Sequence, residues 1–505
     1  MKINQLKAGA LLNYIVILLN LIIGLLYTPY MLRMMGQSEY GLYSLVSSVI
    51  CYLTVLDLGM GNAIIRYTAK FRTEGRIKEQ YEMFGMFFII YLIIGIIALL
   101  IGSVLYFNIN NMFGETMSSI ELDRARIMML ILVFNLAITF PMSIFGSIIT
   151  AYEHFIFPKI VNIIRTLLNT IIMIILLSLG YKAIAMIVLS TLFNIITLLL
   201  NLWYCKRKLR IEIHFGKFRF SFIKEIAIYS FWILLSVLID RIYWSTGQFV
   251  LGAVSGTIAV SVFAIAIQLE NMYMGFSTAI VSVFLPKVTT IVVRGNSSQE
   301  ISDLFIKTGR IQSIVMSFIF LGFVIFGQQF IILWAGAAYS DAYYMAVMIF
   351  AALYVPVIQN LGVTILQARN EMKFRSLLYI GIAFLALIAE FVFAKRWGGI
   401  GCAIAISSAL LLGQGLIMNI YYMHKQHIDI VAFWQNILKM NLIPLLLSLL
   451  FFLFLKNIYT IDTWQKLTIG VIAFSLLYLP LCWFFSMNQY ERNLILVPIL
   501  NRINK

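Results

Sequence analysis

The chain has 505 residues, 62% hydrophobic and only 11% charged, where ordinary globular proteins carry roughly 25% charged residues. Apolar windows of 18 or more residues recur along its whole length, which excludes a soluble protein and marks an all-α polytopic membrane protein. The ten-residue alternation of a membrane β-barrel is absent, and the +16 net charge gives no reason to expect nucleic acid, because its placement follows the membrane.

About fourteen transmembrane helices are expected, over residues 7–33, 40–66, 83–107, 127–151, 158–179, 183–204, 226–252, 257–284, 311–334, 342–367, 376–394, 401–423, 440–456 and 467–486. With the N-terminus inside, Lys and Arg number 27 on the inner side, 8 on the outer side and 2 within spans (Arg165 and Arg241), which accounts for all 37. That bias is the positive-inside rule, and it places both termini in the cytoplasm.

Lys2 and Lys7 precede a first span that contains Pro29 and reads as an uncleaved helix, kinked at the proline, rather than a signal peptide. Gly36 and Ser38 make a tight outer turn into the second span. That span carries Asp57 in LTVLDLGMGNAIIRY, roughly 14 Å of helix rise from Arg66 at its inner end. The fourth span holds Pro141, and the fifth holds Arg165 about 10 Å from its start. The inner loop CKRKLRIEIHFGKFRFSFIKE alternates basic and aromatic residues. It suits an anionic leaflet or an acidic lipid headgroup, and equally a topology anchor between two halves of the chain.

The seventh span, YSFWILLSVLIDRIYWSTGQFVLG, sets Asp240 beside Arg241 near its centre. Each ionised group at mid-membrane costs about 2.5–3.5 kcal/mol, so the pair should face a bundle interior or a wet cavity. At about 100° per residue, Asp240, Tyr243, Trp244, Gly247 and Gln248 share one side, with Ser236 a turn before and Arg241 and Ser245 on the flanks. Such a helix reads as the wall of a pathway. The competing reading is an ion pair that only fixes packing, between the two or with Glu270 or Arg165. Asp57 and Glu270 are mid-span carboxylates able to take a proton or cation for coupling, although neutral, hydrogen-bonded acids would look the same. Glu390 is expected near the outer interface, with no role.

An internal repeat is visible. The fourth span has Pro141 and ends TAYEHFIF; the tenth has Pro356 and ends QARNEMKF. Tyr40-Gly41-Leu42-Tyr43 in the second span likewise matches Val260-Ser261-Val262-Phe263 in the eighth. The pairs lie six spans apart in the same direction, which predicts two parallel six-helix lobes (1–204 and 226–423) joined by the basic linker 205–225 and followed by two extra helices and a tail (424–505). Parallel repeats of this kind build transporters with a substrate site between the halves, and the matching prolines are expected bending points. The four cysteines have no paired spacing, and His424 and His427 read as surface residues rather than a metal site. No nucleotide, zinc-protease or dinucleotide motif occurs, and the longest outer loop, 108–126, is too short for a catalytic domain. No enzyme, cofactor or metal is therefore expected.

RMMGQSEYGLYSLVSSVICYLTVLDLGMGNAIIRYTAK, LIDRIYWSTGQFVLG and ILQARNEMKF resemble bacterial polysaccharide exporters of the multidrug/oligosaccharidyl-lipid/polysaccharide exporter superfamily. The resemblance implies two lobes around a central cavity in the bacterial inner membrane. It also implies a flippase that moves an undecaprenyl-pyrophosphate-linked oligosaccharide, such as an O-antigen or capsule precursor, to the outer leaflet by alternating access. Membrane lipids, a proton or sodium ion, and a polysaccharide polymerase or chain-length protein are the further partners it implies. Asp57-Leu58-Gly59 and Asp240-Arg241 match the family pattern, while Ser261 departs from its usual glycine. For such a substrate, Arg241, Arg165, Arg33 and Arg66 are the pyrophosphate candidates. Trp232, Tyr243, Trp244 and Gln248 are the sugar candidates. Two other readings compete: a multidrug extruder with an acidic or apolar pocket for cationic drugs, and a membrane polymerase, which would need a large outer loop.

Overall fold

The computed structural model describes residues 5–216, 220–281, 291, 298–369, 371–458 and 460–503, and among them there is no strand. The helices are α1 (Gln5–Met35), α2 (Gln37–Leu53), α3 (Met60–Thr73), α4 (Ile77–Phe113), α5 (Ser119–Ala151), α6 (Ile156–Ser178), α7 (Ala183–Arg207), α8 (Phe220–Val254) and α9 (Gly256–Val281). They continue as α10 (Ser298–Trp334), α11 (Ala342–Ile358), α12 (Leu361–Arg369), α13 (Met372–Leu410), α14 (Met418–His424), α15 (Ile430–Ile458), α16 (Trp464–Leu481) and α17 (Gln489–Ile503).

By length and apolarity, eleven of the described helices can cross a membrane, or twelve if the bent pair α11 and α12 is one span. Each of the fourteen expected spans falls on helical structure to within a few residues, the second and tenth each divided over two helices, except that 282–284 lie outside the described residues. The counts differ for two reasons. The 53-residue run Met372–His424 contains two expected spans and leaves helical geometry at Gly398 (φ 57°, ψ −134°), and the 35-residue α8 carries the seventh.

The chain divides into two compact units, Met1–Ala264 with Ala394–Gly399, and Ile265–Phe393 with Ile400–Lys505. In the first, α4 and α7 flank α5, α1 lies on α6, and α2 packs on both α5 and α8. The start of α5 carries a capping box, in which Ser118 and Glu121 satisfy each other's backbone N–H groups. The Glu121 carboxylate also accepts from Ser38 (2.5 Å) and Thr257 (2.8 Å), so one acid joins the first turns of α2, α5 and α9. Glu39 of α2 pairs with Arg124 of α5 beside it.

Helix α5 runs without a break from Ser119 to Ala151 through Pro141. A proline leaves the carbonyl four residues earlier without its N–H partner, here that of Ala137. Helix α4 presses Gly95 onto that carbonyl, where a Cβ would stand 2.7 Å from the oxygen. The bare backbone covers the orphan acceptor, with a weak Cα–H contact in place of the lost bond. The first span likewise stays one helix across Pro29.

The second unit is held by polar networks inside apolar helices. Tyr354 of α11 bonds Ser313 (2.7 Å) and Ser317 (2.8 Å) of α10, and Asn441 of α15 closes the group by donating to Ser313 (2.7 Å) and accepting from Ser317 (2.6 Å). At one end of α10, Arg310 donates to both carboxylate oxygens of Glu491 in α17 (2.5 and 3.0 Å) and to the Ser486 carbonyl (3.0 Å). Both side chains are buried, so this pair is a fixed structural joint rather than a surface contact. An aromatic cluster of Phe326, Phe474 and Tyr478 fills the space between α10 and α16.

Candidate functional site

The second span is discontinuous. After α2 the chain makes a single 3₁₀ turn, Thr54–Asp57; Leu58 (φ 53°) and Gly59 (φ 67°) then both adopt left-handed backbone before α3 begins. Gly59 takes this conformation freely. For Leu58 it costs about 1–2 kcal/mol, which the surrounding packing must offset. Non-helical backbone at membrane depth is tolerated only where protein buries it or where it lines a wet cavity. Asp57 sits at this break, just ahead of the positive end of α3. Its Oδ1 accepts a 2.9 Å hydrogen bond from the hydroxyl of Tyr91, a fully buried residue of α4.

Helix α8 packs on this break and on α2, α3 and α4. The Tyr52 and Thr246 hydroxyls hydrogen-bond across the contact, the Phe249 ring meets Phe113 edge-on at 5.7 Å, and Gly247 lies against the Phe263 ring. This packing divides the expected polar stripe. Tyr243, Ser245, Thr246 and Gly247 are buried, Arg241, Trp244 and Gln248 are half-buried, and Asp240 is exposed. The Arg241 Nε is buried and has no hydrogen-bond partner among the described residues. The side chains of Trp232 and Ser236 lie outside those described. The region thus combines an interrupted helix, a carboxylate held by a tyrosine, and a guanidinium with an unused donor. A guanidinium with donors to spare suits a phosphate, which it can clamp in a bidentate manner.

Arg165 of α6 donates to Asn194 of α7 (3.4 Å), whose amide donates in turn to Asn135 (2.9 Å) and Thr139 (2.7 Å) of α5. It is therefore embedded in an amide network tying three helices. Arg33 at the end of α1 and Arg66 in α3 are exposed, the latter 5.8 Å from the Tyr67 ring centroid. Glu270 of α9 is buried and belongs to the second unit. Among the described residues no group of three or more His, Cys, Asp or Glu side chains converges as a metal site needs.

Glu390, expected near the outer interface, is fully buried within the protein, and neither carboxylate oxygen has a hydrogen-bond partner among the described residues. Sequence reasoning also missed the helix break, Tyr91 and the Tyr52–Thr246 contact. The break had a visible signal, two glycines spaced by one residue in DLGMG, whereas the tyrosines lie too far along the chain to be paired by inspection.

A model of the family described as "Polysaccharide biosynthesis protein" matches residues 6–292, more than half of the chain. No curated protein sequence matches it. Among solved structures, the lipid II flippase MurJ in an inward closed conformation superposes with a TM-score of 0.72 at 18% identity, covering 96% of this chain and 99% of that one. An inward-facing multidrug resistance MATE family transporter of the MOP superfamily gives 0.64 at 15% identity, over 83% of this chain and 99% of the other. A MOP superfamily transporter from Pyrococcus furiosus gives 0.55 at 16% identity, over 83% and 95%. At these identities the likeness establishes a shared transporter fold and nothing about substrate.

Proposed function

Because the chain belongs to the polysaccharide biosynthesis protein family, we propose that it is a flippase carrying an undecaprenyl-pyrophosphate-linked oligosaccharide from the inner to the outer leaflet by alternating access. The single observation that carries this reading is Arg241, an intramembrane guanidinium whose Nε has no protein partner among the described residues, on a helix packed against the broken second span. A cation kept in the membrane costs a few kcal/mol, and an anionic headgroup is the ligand that offsets it. In this proposal Arg241 and Asp240 contact the pyrophosphate region, and Trp244 and Gln248 face the glycan. Arg33, Arg66, Arg165 and Tyr243 have secondary or supporting parts. The sequence repeat 1–204 and 226–423 supplies the two lobes, and 424–505 the added helices.

A transporter that only binds its substrate does not export it; net movement needs a ligand or ion that favours one state over the other. Asp57 and Glu270 are the proposed coupling carboxylates for a proton or sodium ion. The membrane is proposed to be the bacterial inner membrane, with both termini in the cytoplasm, and a polymerase or chain-length protein is the proposed consumer of the product.

The test is reconstitution in liposomes with a fluorescent lipid-linked glycan, scored by its accessibility to a quencher on the opposite leaflet. Faster crossing than in empty liposomes is expected; equal rates would remove the proposal. The carboxylate at the helix break gives a second reading some footing, because Asp57 would suit a cationic drug. Export of cationic dyes without glycan movement would establish that reading instead.

A further inference from the structure

The basic segment after α7 is folded rather than free. The Ile211 N–H returns to the Cys205 carbonyl (3.1 Å), and the His214 N–H crosses to the Tyr81 carbonyl of α4 (3.1 Å). The crossing depends on Gly85, where a Cβ would stand 2.1 Å from the His214 oxygen. His214 also meets the Tyr81 ring edge-on, and Phe215 meets Phe88. Arg210, between these anchors, is held in the left-handed region at φ 53°, a conformation uncommon for a residue with a side chain.

This strap closes a cavity of about 830 Å³ against α4, α5 and α7, within the range of roughly 300–1,000 Å³ typical of ligand pockets. Its floor is apolar, formed by Phe88, Met142, Phe145 and Leu202, and its rim carries Lys206 and Arg210. The one acid on the rim, Glu212, is engaged by the His214 ring at 2.9 Å. Lys206 and Arg210 make no ion pair among the described residues and are exposed. Phe215, also lining the cavity, is 66% exposed, so its wall continues onto the protein surface.

An apolar floor under two uncommitted cations, at the membrane face where basic residues concentrate, has the shape and charge of a phosphate-headed amphiphile. We propose that this cavity is a binding site for an anionic phospholipid of the inner leaflet, with its phosphate between Lys206 and Arg210 and its upper acyl chain on Phe88 and Phe145. The site lies wholly within the first compact unit and does not rest on the flippase reading.

The full-length protein in phosphatidylcholine nanodiscs, doped with a photoreactive phosphatidylglycerol, tests it by mapping labelled peptides. Adducts are expected on the peptides bearing Phe88, Met142 and Leu202, displaced by unlabelled phosphatidylglycerol and spared by phosphatidylcholine. Lys206→Gln with Arg210→Gln should lower labelling there by roughly thirtyfold, as expected for two interfacial cations, while Lys206→Arg with Arg210→Lys retains it. Equal displacement by phosphatidylcholine overturns the proposal, and this arm needs no variant to fold. Unchanged labelling of the Gln double variant also overturns it. So does displacement by undecaprenyl pyrophosphate at lower concentrations than phosphatidylglycerol, which would assign the cavity to a carrier lipid.

Discussion

The second and the tenth spans are both interrupted, each within its own compact unit, but by different chemistry. In the second, no proline is involved: the chain turns through left-handed Leu58 and Gly59, and the break carries an acid, Asp57, held by Tyr91. In the tenth, the interruption follows Pro356 and bends the two helices by 45°. It is closed by neutral amides. Gln359 and Asn419 donate to each other (2.7 and 3.3 Å), and the Trp434 indole adds a 3.0 Å bond to the Asn419 oxygen. Helix α5 continues through Pro141, and Gly95 of α4 lies against the Ala137 carbonyl that the proline leaves without its N–H partner. The first break carries an ionisable group, and the second is bridged by neutral side chains alone.

This contrast can be broken by substitution, with stability read by denaturation in micelles and transport normalised to folded protein. The largest effect is expected where the second unit does hold a charge. Arg310→Ala leaves Glu491 buried and unpaired, and should cost about 3–5 kcal/mol, seen as loss of folded protein. A neutral midpoint would show that the joint is dispensable. Gln359→Leu removes the amide pair with Asn419, which keeps its bonds to the Trp434 indole and the Gly415 carbonyl, and should cost about 1 kcal/mol while transport per folded molecule holds; a selective transport loss would make the amide break functional. Tyr91→Phe removes one bond to Asp57, for about 1 kcal/mol, but should slow transport per folded molecule, as Asp57→Asn should. Normal transport in both would make the charged break structural. The smallest effect is expected from Leu58→Gly, which relieves the left-handed strain and should stabilise by about 0.5 kcal/mol, net of the added freedom of the unfolded chain.

Much of the fold was legible in the sequence because a bilayer dictates it. Apolar length sets the spans, and the Lys and Arg bias sets their expected direction, without knowledge of any tertiary contact. The turn at Gly36 was legible for a similar reason, since its φ of 81° is one that glycine adopts readily. The packing of the spans was not legible. A period of 100° per residue put Tyr243 and Trp244 on one polar face, yet the folded protein buries the first and leaves the second half-buried. Arg165 looked like an isolated intramembrane cation, and only folding brings Asn194, 29 residues away, to its guanidinium. The complete burial of Glu390 is likewise a fact of packing that its place in an apolar span did not announce.

The central claim is that Arg241 meets an anionic lipid headgroup. It is tested most directly by comparing wild-type, Arg241→Lys and Arg241→Ala proteins in the same glycan-flipping liposomes, at equal amounts of folded protein. Arg241→Ala is expected to lose at least tenfold in rate, Arg241→Lys to recover part of it, and bound undecaprenyl pyrophosphate to slow only the proteins that keep a cation. Wild-type rates in Arg241→Ala, with unchanged inhibition by undecaprenyl pyrophosphate, would contradict it.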